Sequence, residues 1–214
     1  MKNTKNNITE LVFILDCSGS MAGFEADTLG GFNSLIEKQR RESGTCLVTT
    51  VLFSNRSARI HDRIPLSEVA PLTDKEYSAY GCTALYDAVG STIRHISHIH
   101  KYARPEDVPD KTVFVITTDG MENASKYYSG EKVRSMVGHE KEKYGWEFIF
   151  LGADMDAVGA AADIGIPPER SARFNKTARS NASMYDCVCD AVSAVRCDAP
   201  ISADWSAGII DDDG

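Results

Sequence analysis

Five oxygen-bearing side chains stand out by type and spacing. Asp16, Ser18 and Ser20 alternate in Asp16-Cys17-Ser18-Gly19-Ser20, directly behind the apolar run Leu11 to Leu15. Thr83 lies in Gly81-Cys82-Thr83-Ala84-Leu85, and Asp119 follows a second apolar run, Thr112 to Thr117, in Thr118-Asp119-Gly120. Carboxylate and hydroxyl oxygens are hard ligands, suited to Mg²⁺, Ca²⁺ or Mn²⁺ and not to soft metals. Two carboxylates neutralise a divalent ion formally, and three neutral hydroxyls leave it electrophilic. Singly, each segment also reads as ordinary loop chemistry. Ser18 or Ser20 can cap a following helix, Thr83 can be an N-cap with Asp87 answering the helix dipole, and Asp119-Gly120 can be a turn. The residues after that turn, Met121-Glu122-Asn123-Ala124-Ser125, lead towards a helix rather than a returning strand, so a hairpin is disfavoured. Together the segments place three hydroxyls and two carboxylates at strand-to-helix junctions.

The elements that must position these groups follow from periodicity. Leu11 to Leu15 is a continuous apolar run that predicts a strand buried on both faces. Leu29, Phe32, Leu35 and Ile36 fall at helical spacing, and Gly44 follows as a stop. Cys46 to Phe53 predicts a second strand, and the alternating Ser57 to Ile64 a half-exposed edge strand. Leu85, Val89, Ile93, Ile96 and Ile99 mark an amphipathic helix from Thr83 to near Tyr102. Thr112 to Thr117 and Trp146 to Leu151 predict further strands, with helices near Glu131 to Lys143, Met155 to Asp163 and Ala178 to Val195. Strands alternating with helices imply an α/β fold with a mostly parallel sheet, its functional loops at the carboxyl ends of the strands.

Asp16-x-Ser18-x-Ser20, Thr83 in Gly-x-Thr-Ala-Leu and Asp119 in Thr-Thr-Asp-Gly resemble the von Willebrand factor A (VWA) domain family. Ser20-Met21, Gly31-Phe32-Asn33-Ser34, Leu85-Tyr86-Asp87-Ala88 and Asp119-Gly120-Met121-Glu122-Asn123 resemble small stand-alone bacterial members. The resemblance runs from about Glu10 to Val195. It implies a Rossmann-like three-layer α/β/α fold, its mostly parallel sheet carrying one antiparallel edge strand, with residues 9–198 as one VWA domain; residues 199–214, aperiodic and carrying Asp211-Asp212-Asp213, read as a flexible acidic tail. It also implies a metal-ion-dependent adhesion site in which Ser18, Ser20 and Thr83 bind the metal directly, with Asp16 and Asp119 often acting through water. A partner Asp or Glu then completes the shell, so the implied role is non-enzymatic protein binding. The implied metal is Mg²⁺, with Mn²⁺ or Ca²⁺ as substitutes. AAA+ ATPases and kinase or phosphatase assemblies are the implied partner classes.

Lys and Arg number 23 against 31 Asp and Glu, a net charge of 23 − 31 = −8. That balance argues against a nucleic-acid binder, which needs clustered cations. No apolar stretch reaches the roughly 18 residues of a membrane span, and the polar start Met1 to Asn7 predicts no signal peptide. Six cysteines without framework spacing suggest reduced thiols and a cytoplasmic setting. His95 and His98 suggest zinc only weakly, because no further ligand is placed by sequence. Cys187 and Cys189 are two apart on a helix and face different ways. In the tail, Trp205, Ile209 and Ile210 offer apolar docking groups, and Asp211, Asp212 or Asp213 could enter the metal site of another copy. Two rivals to the binding-module reading stand. A haloacid-dehalogenase-type phosphatase would want an acid where Ser18 stands and a lysine near the second acidic loop. The other rival is a VWA scaffold with an unused site.

Overall fold

In the computed structural model, which describes residues 7–153 and 156–210, the central strand is β1 (Ile8–Asp16). It is hydrogen-bonded in parallel on one side to β2 (Thr45–Phe53) and on the other to β4 (Lys111–Thr118). Because neighbours occupy both edges and helices cover both faces, Leu11 to Leu15 are wholly buried, which is why the run lacks polar alternation. Its side chains still alternate between two cores. Leu11, Phe13 and Leu15 join the core under α1 (Glu25–Gln39) and α5 (Ala178–Arg196). Val12 and Ile14 join the one under α2 (Leu85–Tyr102), α3 (Gly130–Tyr144) and α4 (Ala157–Asp163).

The full sheet runs β3-β2-β1-β4-β5-β6, with β3 (Ser57–Pro65) antiparallel at one edge and β5 (Glu147–Ala153) leading to β6 (Ser171–Phe174) at the other. Strand order therefore reverses between β1 and β4, and the crevice at their carboxyl ends is where open α/β sheets place ligands. Asp16 ends β1, and Asp119 comes immediately after β4. The three-layer α/β/α fold, mostly parallel with one antiparallel edge strand, is the one the sequence predicts.

Packing on the α1–α5 face requires a missing side chain. A Cβ on Gly31 would lie 2.1 Å from the Tyr185 ring, so the glycine lets α5 approach α1 closely. Phe13 packs edge-on against Phe32, with ring centroids 5.2 Å apart.

Three sequence expectations are corrected. β6 is only four residues long and was not anticipated, since Ser171-Ala172-Arg173-Phe174 is too short to show a period. The α4 helix begins at Ala157, and Met155 lies outside the described residues. The expected loose tail is packed as far as Ile210. Ile201 and Trp205 are buried in the core beside α5, the Trp205 indole N–H donates to the Glu169 carbonyl at 3.0 Å, and the Ile210 amide donates to Ser183 Oγ at 2.9 Å. Burying an indole with its N–H satisfied supplies a driving force that composition alone does not reveal. Asp211, Asp212 and Asp213 lie outside the described residues. Among the described residues no helix is long and apolar enough to cross a membrane.

Candidate metal centre

The polypeptide turns sharply after β1, and the Asp16 carboxylate organises that turn. Its Oδ1 accepts the Ser18 amide at 2.7 Å and its Oδ2 accepts the Thr118 hydroxyl at 2.5 Å, tying the end of β1 to the end of β4. Ser18 precedes a short 3₁₀ turn at Gly19–Met21 but makes no capping bond there. Its hydroxyl instead lies 3.1 Å from that of Ser20, and Ser20 Oγ donates to Asp119 Oδ1 at 2.6 Å.

The loop before α2 brings in Thr83. The Gly19 amide donates to the Gly81 carbonyl at 3.0 Å, the Tyr80 amide to the Cys17 carbonyl at 2.9 Å, and the Tyr77 hydroxyl to the Asp16 carbonyl. Gly81 has φ +76°, and a Cβ there would fall 1.9 Å from Asn55 Oδ1, which accepts the Cys82 amide. A side chain is excluded at that position on both counts. Thr83 is 2% exposed and caps nothing: α2 starts at Leu85 without a side-chain cap. A Cβ on Gly120 would come within 2.6 Å of Thr83 Oγ1 and 3.4 Å of Ser20 Oγ. The three loops thus converge so that Asp16, Ser18, Ser20, Thr83 and Asp119 form one oxygen cluster.

Residues that sequence reading left without a role hold the third loop. Asn123 exchanges two bonds with Thr83, its Oδ1 accepting the Thr83 amide at 2.9 Å and its own amide reaching the Thr83 carbonyl at 3.0 Å. The Glu122 carboxylate accepts the amides of Tyr86, Ala124 and Ser125. Asp87, taken as a partner for the helix dipole, accepts the amides of Lys126, Tyr127 and Tyr128, each at 2.8 Å. These acids satisfy loop N–H groups that would otherwise lack partners. Their signal lay in the Leu85-Tyr86-Asp87-Ala88 and Asp119-Gly120-Met121-Glu122-Asn123 segments, but donor counts cannot be read from a string.

The electrostatics of the cluster are unbalanced. Asp16 is fully buried, and among the described residues no Lys, Arg or His forms an ion pair with it. Burial pushes its carboxyl above the usual carboxylate range, bonds from Thr118 and Ser18 pull it back in part, and the Asp119 charge pushes it up again. Asp119 does have a cation. Lys176, from the loop between β6 and α5, places Nζ 2.8 Å from Asp119 Oδ2 and 3.3 Å from the Ser20 carbonyl. Nothing in the sequence reading pointed to Lys176. Between Asp16 and Ser18, the Cys17 thiol is pushed up to about 11 by burial and donates to the Phe53 carbonyl, so it offers no thiolate. An all-oxygen donor set with surplus negative charge suits a hard divalent cation.

The histidine alternative finds no support. Among the described residues no three His, Cys, Asp or Glu side chains gather to hold an ion. His95 pairs with Asp62 at 2.8 Å while the His98 ring lies against Tyr102. All six cysteines are free, and Cys189 accepts a bond from Gln39.

No protein-family model matches the chain, and no curated protein matches it by sequence. Solved structures do resemble it. The VWF domain of the type V pili tip protein Mfa5 from Porphyromonas gingivalis superposes with a TM-score of 0.64 at 9% identity, covering 87% of this chain and 95% of that one. Proximal thread matrix protein 1 from the mussel byssus, solved with a zinc-occupied MIDAS motif, gives a TM-score of 0.59 at 15% identity over 86% of this chain. This chain spans only 46% of that mussel protein's length. Manganese-loaded TRAP protein of Plasmodium vivax gives 0.57 at 15% identity, covering 80% of this chain and 70% of that one. With its strand order, its three layers and its switch-point crevice, the chain has the von Willebrand factor A fold.

Proposed function

We propose that Asp16, Ser18, Ser20, Thr83 and Asp119 hold a divalent cation, Mg²⁺ by preference, and that the chain uses it as a non-catalytic protein-binding module. The observation that carries this reading is the fully buried Asp16 carboxylate, bonded by the Ser18 amide and the Thr118 hydroxyl and, among the described residues, without an ion-pair partner. The zinc and manganese reported in two proteins of the same fold are consistent with it. Once bound, the ion supplies an electrophilic position for a carboxylate oxygen from a partner Asp or Glu.

The surface beside the cluster suits a protein partner. A cleft of about 540 Å³ opens next to Asp119, walled by Leu85, Tyr86, Met121, Ala160 and Asp163. Met121 and Tyr127, on the loop that follows Asp119, are 77% and 80% exposed. Exposed large apolar groups of this kind are used in contact surfaces. AAA+ ATPases and kinase or phosphatase assemblies are the partner classes that the family resemblance suggests, and the unpaired cysteines favour a cytoplasmic setting.

Lys176 beside Asp119 does supply the lysine that a dehalogenase-type phosphatase would need. Ser18 still stands where that chemistry wants a carboxylic acid, and both Asp16 oxygens are engaged, so the binding role is preferred. Calorimetric titration with Mg²⁺ and Mn²⁺ tests the proposal. Saturable one-site binding that Thr83→Ala weakens at least tenfold is expected. Absence of binding at millimolar ion would favour the scaffold reading, and Mg²⁺-dependent hydrolysis of p-nitrophenyl phosphate would favour the phosphatase.

A further inference from the structure

Lys176 occupies an unusual position for a surface lysine. Its side chain is 30% exposed, yet its ammonium reaches an Asp119 carboxylate that is wholly buried. Asp119 Oδ1 accepts the Ser20 hydroxyl and Oδ2 accepts the Lys176 ammonium, so both oxygens are engaged. Its second contact, to the Ser20 carbonyl, places the positive charge beside Ser20 and Asp119, two of the five proposed metal donors.

The loop that delivers Lys176 is anchored on both sides. The Asn175 amide donates to Ser180 Oγ at 2.9 Å, the Thr177 amide reaches the Asn175 carbonyl at 2.8 Å, and Thr177 Oγ1 caps α5 by accepting the Ser180 amide at 3.1 Å. The backbone of residue 176 is therefore held at the crevice while the four-carbon stem of the lysine keeps its rotamers. An ammonium on a flexible stem, tethered to a fixed loop, is a cation that can leave its carboxylate without leaving the site.

We propose that Lys176 is a built-in competitor of the divalent ion for Asp119. This inference rests on the metal reading of the five oxygens. With no ion bound, the ammonium neutralises Asp119 and offsets its repulsion of Asp16. A dication entering the cluster meets a like charge a few ångströms away, in surroundings where such repulsion is only partly screened. The lysine must swing off Asp119 for the ion to share that oxygen. The chain therefore binds its ion more weakly than its five oxygens alone would, and binding of the ion releases an ammonium at the rim of the crevice.

Mn²⁺ titrations of the full chain, by calorimetry and by electron paramagnetic resonance of free Mn²⁺, compare wild type with Lys176→Met and Lys176→Arg. Lys176→Met is expected to bind about tenfold tighter or more, and Lys176→Arg to stay near wild type because it keeps the charge. Equal or weaker binding by Lys176→Met, where Thr83→Ala weakens wild-type binding at least tenfold, overturns the competitor role and leaves the metal reading standing. Failure of both wild type and Lys176→Met to bind overturns both, whereas binding by Lys176→Met alone supports both. A measurement on unaltered protein covers the case of a misfolded variant. Acylation of Lys176 by an N-hydroxysuccinimide ester, followed by mass spectrometry, should be faster in saturating Mg²⁺ than in EDTA. An unchanged rate would overturn the proposal.

Discussion

Strand β1 carries a fully buried carboxylate near each end, Glu10 and Asp16, and the fold treats them in opposite ways. Glu10 has a guanidinium and an imidazole as partners: Arg63 Nε at 2.9 Å on one oxygen and His100 Nε2 at 2.6 Å on the other. Arg63 reaches it from a register shift between β2 and β3, with a left-handed φ of +51°. His100 comes from the last turn of α2, its ring edge-on to Trp146. Among the described residues Asp16 receives hydrogen bonds from Ser18 and Thr118 and no ion pair. Burying a carboxylate is expensive, and a fold that needs it only for structure supplies the countercharge from its own chain. Glu10 is that case. Asp16 lies at the end of the sheet where ligands are expected, and it is the acid for which we propose a cation from outside.

The largest effect should come from breaking the balanced end. Glu10→Gln leaves the largely buried Arg63 guanidinium without its anion and should cost about 3–5 kcal/mol in urea unfolding, with Mn²⁺ affinity unchanged. Loss of ion binding in that variant would show that the two ends are coupled and would undo the contrast.

The unbalanced end should respond to ions instead. Mg²⁺ at a hundred times its dissociation constant should stabilise wild type by about 2.7 kcal/mol through mass action and leave Asp16→Asn unmoved, as differential scanning calorimetry would record.

Asp87 sharpens the comparison as a third acid, answered by three amides rather than by a cation. Asp87→Ala should cost about 1–3 kcal/mol, and hydrogen exchange should quicken at the amides of Lys126, Tyr127 and Tyr128.

The smallest effect concerns the metal-free protein. Because burial raises the folded-state pKa of Asp16, its contribution is favourable below the unfolded value near 3.8 and is lost as pH rises through the folded value. Asp16→Asn removes that loss and keeps a group able to bond Ser18 and Thr118. At neutral pH in EDTA its melting temperature should exceed that of wild type, by ~2–4 °C for each kcal/mol in a chain of this length. The advantage should vanish below about pH 4. A variant that is less stable than wild type in EDTA would mean that Asp16 is as structural as Glu10.

Much of this was legible before any coordinates. An apolar run that ends abruptly in an acid marks a central strand and the mouth of the crevice, and the alternation of Ser57 to Ile64 marks the edge. The five oxygens are readable because three of them follow one strand and the others sit at comparable junctions, so local spacing carries the information. The Glu10 cluster joins residues 53 and 90 positions apart, and Lys176 meets Asp119 across 57. No periodicity connects such pairs, since their meeting depends on strand order and on where each loop is anchored. The packing of the segment through Trp205 was unreadable for the same reason: its apolar groups can be named from the sequence, but the surface beside α5 that receives the indole exists only once the chain has folded.

Element type, the two-faced burial of β1 and the oxygen donors were thus set by side-chain chemistry repeated over a few neighbouring residues. Which buried acid receives a cation from the chain, and which does not, depends on partners that only folding brings within 3 Å. Local patterns survive in a linear string because each residue's nearest neighbours stay its neighbours; long-range charge balance does not, because its distances are created by the fold.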